Sequence, residues 1–410
     1  MSSKARSSAP TSGKDPPQNK KPKPSSPETE PTLTSISSLP DDLLINCLAR
    51  VSRRYFHILS RVSRRFRSII ASPELYATRS RLNRTEKCLY VNLSFRYDPE
   101  SYWFALNRLP SSRNVANESS GYSVETVPSP NSLLPAQSST IVAVGSDIYK
   151  IGGSDHFKCK YWKRNYSSSV SVLDCRTHTW RQAPSMEVER DSSSTATLFD
   201  GKIYVAGGCE VKLVSCPKFI EVFDLETQTW SSGVRNPCVF RWWDDCRIQR
   251  FVAKSLVFEG KLYMVGDSGA VYNPEDNRWS ELGWDLSRMR WAVKECHCVI
   301  DGVLFCWDKG VLKWYDVKTG SLKELKGIEG LPDDLCNREK WKKAMVDLGG
   351  KMGFLWNEDL DSEVLYCRIW CAEITFESED HEIWGKVEWF DSLLRTHPSC
   401  SVLNVVSVSV

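Results

Sequence analysis

Six histidines stand at positions 57, 156, 178, 297, 381 and 397, and they are the natural first candidates for chemistry. The closest approach to a metal motif is Cys296-His297-Cys298. Alternate side chains on a strand share a face, so Cys296 and Cys298 would point one way and His297 the other. A structural zinc site needs four converging ligands, and no second pair lies nearby in sequence. A packed strand is the expectation there. A copper centre would gather several histidines and tyrosines around one metal, whereas these histidines are isolated from one another. Walker loops, the HExxH helix and Ser or Cys nucleophile motifs are absent. The glycines of "IGG" (151–153) and "AGG" (206–208) precede no helix start, so they read as hairpin ends and not as dinucleotide fingerprints. The sequence assigns no catalytic residue, no cofactor and no metal ligand, and the expected activity is binding.

Residues suited to binding fall in two kinds of place. Arg50, Arg53, Arg54, Arg61, Arg64, Arg65 and Arg67 crowd a stretch with no acid between Asp42 and Glu74. Elsewhere, "KCKYWKRNY" (158–166) mixes Lys163 and Arg164 with aromatics, and Arg241-Trp242-Trp243-Asp244-Asp245 sets paired tryptophans among charges. Trp and Arg dominate protein interfaces.

The elements that must position these residues differ along the chain. Its 410 residues are 41% hydrophobic, enough for a sizeable core, and 54 Lys+Arg nearly balance 51 Asp+Glu. A basic function must therefore be local. Residues 1–34 are Ser, Pro, Lys and Thr with little to bury, which predicts a disordered tail, and "KKPKP" (20–24) reads as solvated linker. No signal peptide and no membrane-spanning apolar run is evident. Fifteen scattered cysteines in such a chain suggest reduced thiols and a cytoplasmic or nuclear location.

Residues 35–80 are helix-periodic. Pro40, Asp41 and Asp42 mark a helix start, with Leu43, Leu44, Cys47, Leu48 and Val51 on one face. Tyr55, Phe56, Ile58, Leu59 and Val62 form a second apolar set, Phe66, Ile69 and Ile70 a third, and Ser72-Pro73-Glu74 starts another helix. So small a unit has little core of its own, and docking on a neighbour or a partner is expected to hold it. Leu39, Pro40, Leu43, Leu44 and Leu48 exceed what a forty-residue bundle needs, so part of the set is available for a partner groove.

From Cys88 to residue 400 the pattern is a repeat. Its first half is a hairpin: "STIVAVGSDIYKIGG" (139–153), "STATLFDGKIYVAGG" (194–208), "AKSLVFEGKLYMVGD" (253–267), "CHCVIDGVLFCWDKG" (296–310) and "KAMVDLGGKMGFLWN" (343–357). Asp200-Gly201 and Asp301-Gly302 are tight-turn dipeptides. Its second half ends in a tryptophan strand, as in "VSVLDCRTHTW" (170–180), "IEVFDLETQTW" (220–230), "GAVYNPEDNRW" (269–279) and the degenerate "VLKWYDVKTGSL" (311–322). "FRYDPESYW" (95–103) and "AEITFESEDHEIW" (372–384) carry the same half-repeat at the two ends and are expected to share a blade. The period near fifty residues is that of a kelch blade. Six tryptophan half-repeats predict an all-β six-bladed propeller behind the helical module.

With those residues in place, the chain resembles the plant F-box/kelch-repeat proteins. Leu39-Pro40-Asp41-Asp42-Leu43, Leu48-Ala49-Arg50-Val51 and Val62-Ser63-Arg64-Arg65-Phe66-Arg67-Ser68-Ile69-Ile70 follow the F-box pattern, and "SPELY" (72–76) continues it. Gly266-Asp267, Trp307-Asp308 and "KMGFLWN" (351–357) depart from the kelch glycine pair. The resemblance implies an F-box that binds a Skp-family adaptor through Leu39, Pro40, Leu43, Leu44, Leu48, Val51, Val62 and Phe66. Through that adaptor the chain would join cullin and RING subunits of a ubiquitin ligase, and the propeller would hold a target protein for degradation. Skp-type adaptors are acidic, which suits the arginine-rich module.

Strand direction alternates within a blade, so loops after the second and fourth strands share a face. That reading gathers Lys163, Arg164, Arg190, Arg241, Trp242, Trp243, Arg247 and Arg290 on one target-facing rim. Two other readings are carried: a propeller scaffold outside any ligase, and an RNA-binding protein. The second is disfavoured because the propeller is not basic overall, so no nucleic acid and no membrane partner is expected.

Overall fold

The computed structural model describes residues 36–95, 98, 100–108, 122–129, 139–153, 166–191, 193–209, 220–232, 254–265, 270–281, 296–332, 335, 342–358, 366–379, 381–398 and 400–410. The expected tail, 1–34, lies outside them. By backbone contacts the chain divides into Met1–Leu44 and Ile45–Val410.

Four α-helices come first: α1 (Asp41–Ala49), α2 (Phe56–Leu59), α3 (Arg64–Ile70) and α4 (Pro73–Arg81). Their starts follow local chemistry. Asp41 and Asp42 occupy the first turn of α1, where the exposed N–H groups favour negative charge. Ser63 Oγ accepts the Phe66 N–H at 3.1 Å, and Ser72 Oγ accepts that of Leu75 at 3.4 Å, with Pro73 opening α4.

The rest is β-structure. Blade one takes β1 (Lys87–Phe95), β2 (Ser101–Arg108) and β3 (Tyr122–Val127). Blade two is β4–β7 (Thr140–Val144, Asp147–Ile151, Val170–Asp174, Thr179–Ala183), and blade three is β8–β11 (Thr195–Phe199, Lys202–Ala206, Ile220–Asp224, Thr229–Ser232). Blade four is β12–β15 (Lys254–Phe258, Lys261–Val265, Ala270–Asn273, Arg278–Glu281), and blade five is β16–β19 (His297–Ile300, Val303–Asp308, Val311–Asp316, Ser321–Glu324). Blade six is β20–β23 (Lys343–Asp347, Met352–Glu358, Cys367–Glu379, Glu382–Thr396), and β24 (Cys400–Ser409) returns to pair with β1. All six sheets are four-stranded and antiparallel, in a six-bladed β-propeller. The innermost strands β4, β8, β12, β16, β20 and β24 touch in turn and complete the circuit.

The circuit closes differently from the expectation. The half-repeats at 95–103 and 372–384 do not share a blade. Trp103 lies in β2, the third strand of blade one, while Trp384 lies in β23 of blade six. The slot in blade one is filled by β24, which runs past the expected end of the repeat region at residue 400. Ser409 N–H donates to Gly145 O at 3.0 Å, and Val410 and Glu86 exchange backbone bonds of 2.8 and 2.9 Å. No sheet edge is left open at that seam.

Within the regular blades the sequence signals act as anticipated. Asp200 and Gly201 have φ of 46° and 67°, the left-handed pair a tight hairpin needs. Gly208 is fixed by space: a Cβ there would sit 2.8 Å from Ser194 N. Trp180 and Trp230 reach back to the preceding blade, each indole N–H donating to a carbonyl, Pro128 O at 2.8 Å and Pro184 O at 2.7 Å. Blades five and six use tryptophan where the glycine pair fails. Trp307 stacks on Phe354 at 5.3 Å, and Trp356 on Trp370 at 6.3 Å.

Candidate functional site

The residues read as adaptor-binding separate by exposure. In the segment ending at Leu44, Pro40 and Leu43 are exposed, Leu43 by 52%, Leu39 is half-buried, and Leu44 is buried. In the larger unit, Val62 is 63% exposed, Val51 and Phe66 are half-buried, and Leu48 is buried. Leu44 and Leu48 are thus core positions of this chain, because their places on α1 turn them inward. Ile36 and Ile58, not singled out as site residues, are exposed by 61% and 51%. Helical periodicity put Ile58 in an apolar set, but periodicity alone does not say which apolar side chains stay uncovered.

The arginines also separate. Arg50, Arg61, Arg64 and Arg67 are exposed. Arg53 is instead buried and donates from Nη2 to the Cys175 carbonyl at 2.9 Å, in the turn between β6 and β7. Glu86 ties the same joint, accepting from Arg53 N at 3.0 Å and Ser52 Oγ at 3.2 Å. Arg79, also buried, pairs with Glu86 at 3.2 Å and donates to Val51 O at 2.6 Å. Beside them the Tyr90 hydroxyl donates to Cys175 O at 3.0 Å and lies 2.9 Å from His178 Nε2. Burial holds the His178 imidazole below its ordinary value, against the pull of Glu125 3.7 Å away. Arg53 is therefore docked on the β6–β7 turn of blade two, and Ser52, Arg53 and Arg79 on Glu86 just ahead of β1.

The second and fourth strands of the blades end at the opposite face. Of the rim residues read from sequence, Lys163, Arg164, Arg241, Trp242, Trp243, Arg247 and Arg290 lie outside the described residues, as does most of "KCKYWKRNY". Arg190 is described, and it is not a rim cation. Its side chain is fully buried, with Nη2 donating to Glu221 Oε2 at 2.7 Å and Nη1 to Gly207 O at 2.6 Å. Glu221, on β10, also accepts the Glu187 N–H at 2.7 Å. The physical reason is that a carboxylate buried between blades two and three needs a cation, and Arg190 supplies it. A second joint of this kind links blades one and six, where Glu373 accepts from Arg108 and the Tyr122 hydroxyl.

Among the described residues no group of three or more His, Cys, Asp or Glu side chains is placed to hold a metal ion. At His297, Cys296 is buried and Cys298 half-buried, and burial raises the Cys298 thiol well above its usual range. A cavity of about 480 Å³ opens between the inner strands, lined among others by Lys254, Lys342, Trp356 and Asn404.

Comparison with known proteins gives concordant matches. The F-box domain family matches residues 36–78, and the FKB95 kelch-repeats domain family matches residues 103–394. The F-box/kelch-repeat protein At4g39590 of Arabidopsis thaliana is 49% identical over 415 aligned residues, covering 100% of this chain and 98% of that one. At4g39580 of the same plant, another F-box/kelch-repeat protein, is 43% identical, covering 93% of this chain and 96% of its own.

Proposed function

This chain belongs to the F-box/kelch-repeat family, and on that premise we propose that it is the target-recognition subunit of a Skp–cullin–F-box ubiquitin ligase. The F-box region engages a Skp-type adaptor, and the propeller receives a protein to be ubiquitinated and degraded. The observation that carries this reading is the two-faced construction of the larger unit. Arg53 and Glu86 fasten helices to one face of the blades, and the second and fourth strands end at the other.

The contribution to ubiquitin transfer is placement. A target held near the charged conjugating enzyme reacts as though its concentration were raised, with no bond made by this chain. A buried hydrogen-bonded joint suits that task, since a loose hinge would spread the target over many unproductive positions. Exposed Pro40 and Leu43 in one unit, and Ile58 and Val62 in the other, supply apolar anchors for the adaptor. The surrounding arginines speed encounter with an acidic partner. Every described cysteine is a free thiol, which supports work in the cytoplasm or nucleus.

The test is co-purification of the full chain with a Skp-type adaptor and cullin, compared with Leu43→Asp and Val62→Asp. Both side chains are exposed, so the fold should survive while adaptor capture drops by roughly tenfold or more. A folded wild-type chain that captures no adaptor would remove the ligase role.

A further inference from the structure

The cavity at the propeller axis has a composition that neither the F-box nor the target-holding role explains. It is bounded by the first residues of inner strands β12, β16 and β20 and by the middle of β24. Inner strands all begin at the face where the second and fourth strands end, so the cavity opens there. Lys254, Lys342 and Lys343 contribute to its wall together with His297, and among the described residues no Asp or Glu does. The rest includes the half-buried apolar side chains of Val402, Leu403 and Val405, with the Asn404 amide as a neutral polar group.

We propose that this cavity binds a small organic anion, a molecule with an acidic group on an apolar body. Its volume, about 480 Å³, lies within the usual size of small-molecule sites. The Lys254 and Lys342 ammonium groups have no carboxylate partner among the described residues, and their charge draws an anion into the mouth. Lys254 stays exposed to solvent, while the protein around it holds its amine below the usual lysine value. The half-buried side chains of Val402, Leu403 and Val405 then cover the apolar body. Neither a bare inorganic anion nor a neutral hydrocarbon satisfies both halves of the wall.

Calorimetric titration of the full chain with naphthalene-2-carboxylate tests this, with neutral 2-naphthamide and inorganic pyrophosphate as comparison probes. The expected result is saturable binding of the carboxylate, at least roughly tenfold tighter than either comparison probe and weakened by added salt. Lys254→Gln with Lys342→Gln should lose that advantage, and Lys342→Arg alone should keep it. The lysines have no described ion-pair partner to orphan, so an unchanged melting temperature will show that lost binding is not lost fold. Absence of carboxylate binding, or equal binding by the doubly substituted chain, overturns the proposal. Pyrophosphate binding as tight as the carboxylate overturns the organic class. Adaptor capture, measured on the same samples, separates failure here from failure of the ligase role.

Discussion

The helices and the blades of the larger unit are joined to their neighbours by opposite chemistries. Helix meets blade through Arg53, Arg79, Glu86, Tyr90 and His178, a connected group of polar side chains. Blade meets blade mainly through apolar surface, such as Phe223, Ile203 and Val205 of blade three packed with Tyr149, Ile151 and Val172 of blade two. Apolar contact is strong and tolerant of small rotations, whereas directed hydrogen bonds admit one geometry. The lesson is a division of labour: burial holds the propeller together, and the polar joint sets the angle at which the helices leave it. Arg190–Glu221 is the more deeply buried of two exceptions, the other being Arg108–Glu373: a polar pin set inside an apolar blade contact.

Arg190–Glu221 gives the largest expected effect. Arg190→Ala strands the Glu221 carboxylate in a fully buried site and should cost about 3–5 kcal/mol, read from the urea midpoint. A loss below about 1 kcal/mol would mean the pin is dispensable and the apolar contact alone fixes the blades. Next comes Arg53→Ala, expected to cost about 1.5–3 kcal/mol through the lost charged bond to Cys175 O. Here the loss should be local: amide exchange in residues 53–81 rises, while the strands keep their protection. Equal loosening of both would erase the proposed difference between the two joints.

The smallest effect concerns pH. His178 has its imidazole value lowered by burial, so the unfolded chain binds more protons than the folded one near and below the ordinary value of about 6.5. Stability should therefore fall as the pH drops through that value towards the lowered one. His178→Asn, which tolerates the φ of 55°, should flatten this part of the melting-temperature profile. An unchanged slope would place the acid sensitivity of the joint elsewhere.

Much of this was legible in the sequence where a residue answers a local demand. Ser72-Pro73 starts a helix because its hydroxyl and fixed φ suit the first turn, and Asp301-Gly302 turns a hairpin because both accept positive φ. The tryptophans at 180, 230 and 279 gave the period because each closes one blade. What depends on distant partners was hidden. Trp103 imitates the repeat signature while sitting one strand further in, and "CSVLNVVSVS" carries neither the glycine turn nor the tryptophan that marks a blade. Arg53 and Arg190 looked like surface cations, since nothing beside them in sequence names Cys175 or Glu221 as partner. For the same reason the sequence names the apolar residues of the F-box only as a set, within which Leu44 and Leu48 are buried and Leu43 and Val62 exposed.

The seam between β24 and β1 also imposes an order in time. Strands β1 to β3 leave the ribosome with their fourth partner still unmade, and the gap from Val127 to Cys400 takes on the order of tens of seconds to translate. Throughout that interval the inner edge of β1 is exposed to whatever strand passes, a neighbouring nascent chain included. A premature stop before Cys400 would make the condition permanent, leaving an incomplete ring with an adhesive edge. Chaperone demand and the harm done by late nonsense mutations should both trace to these final strand residues.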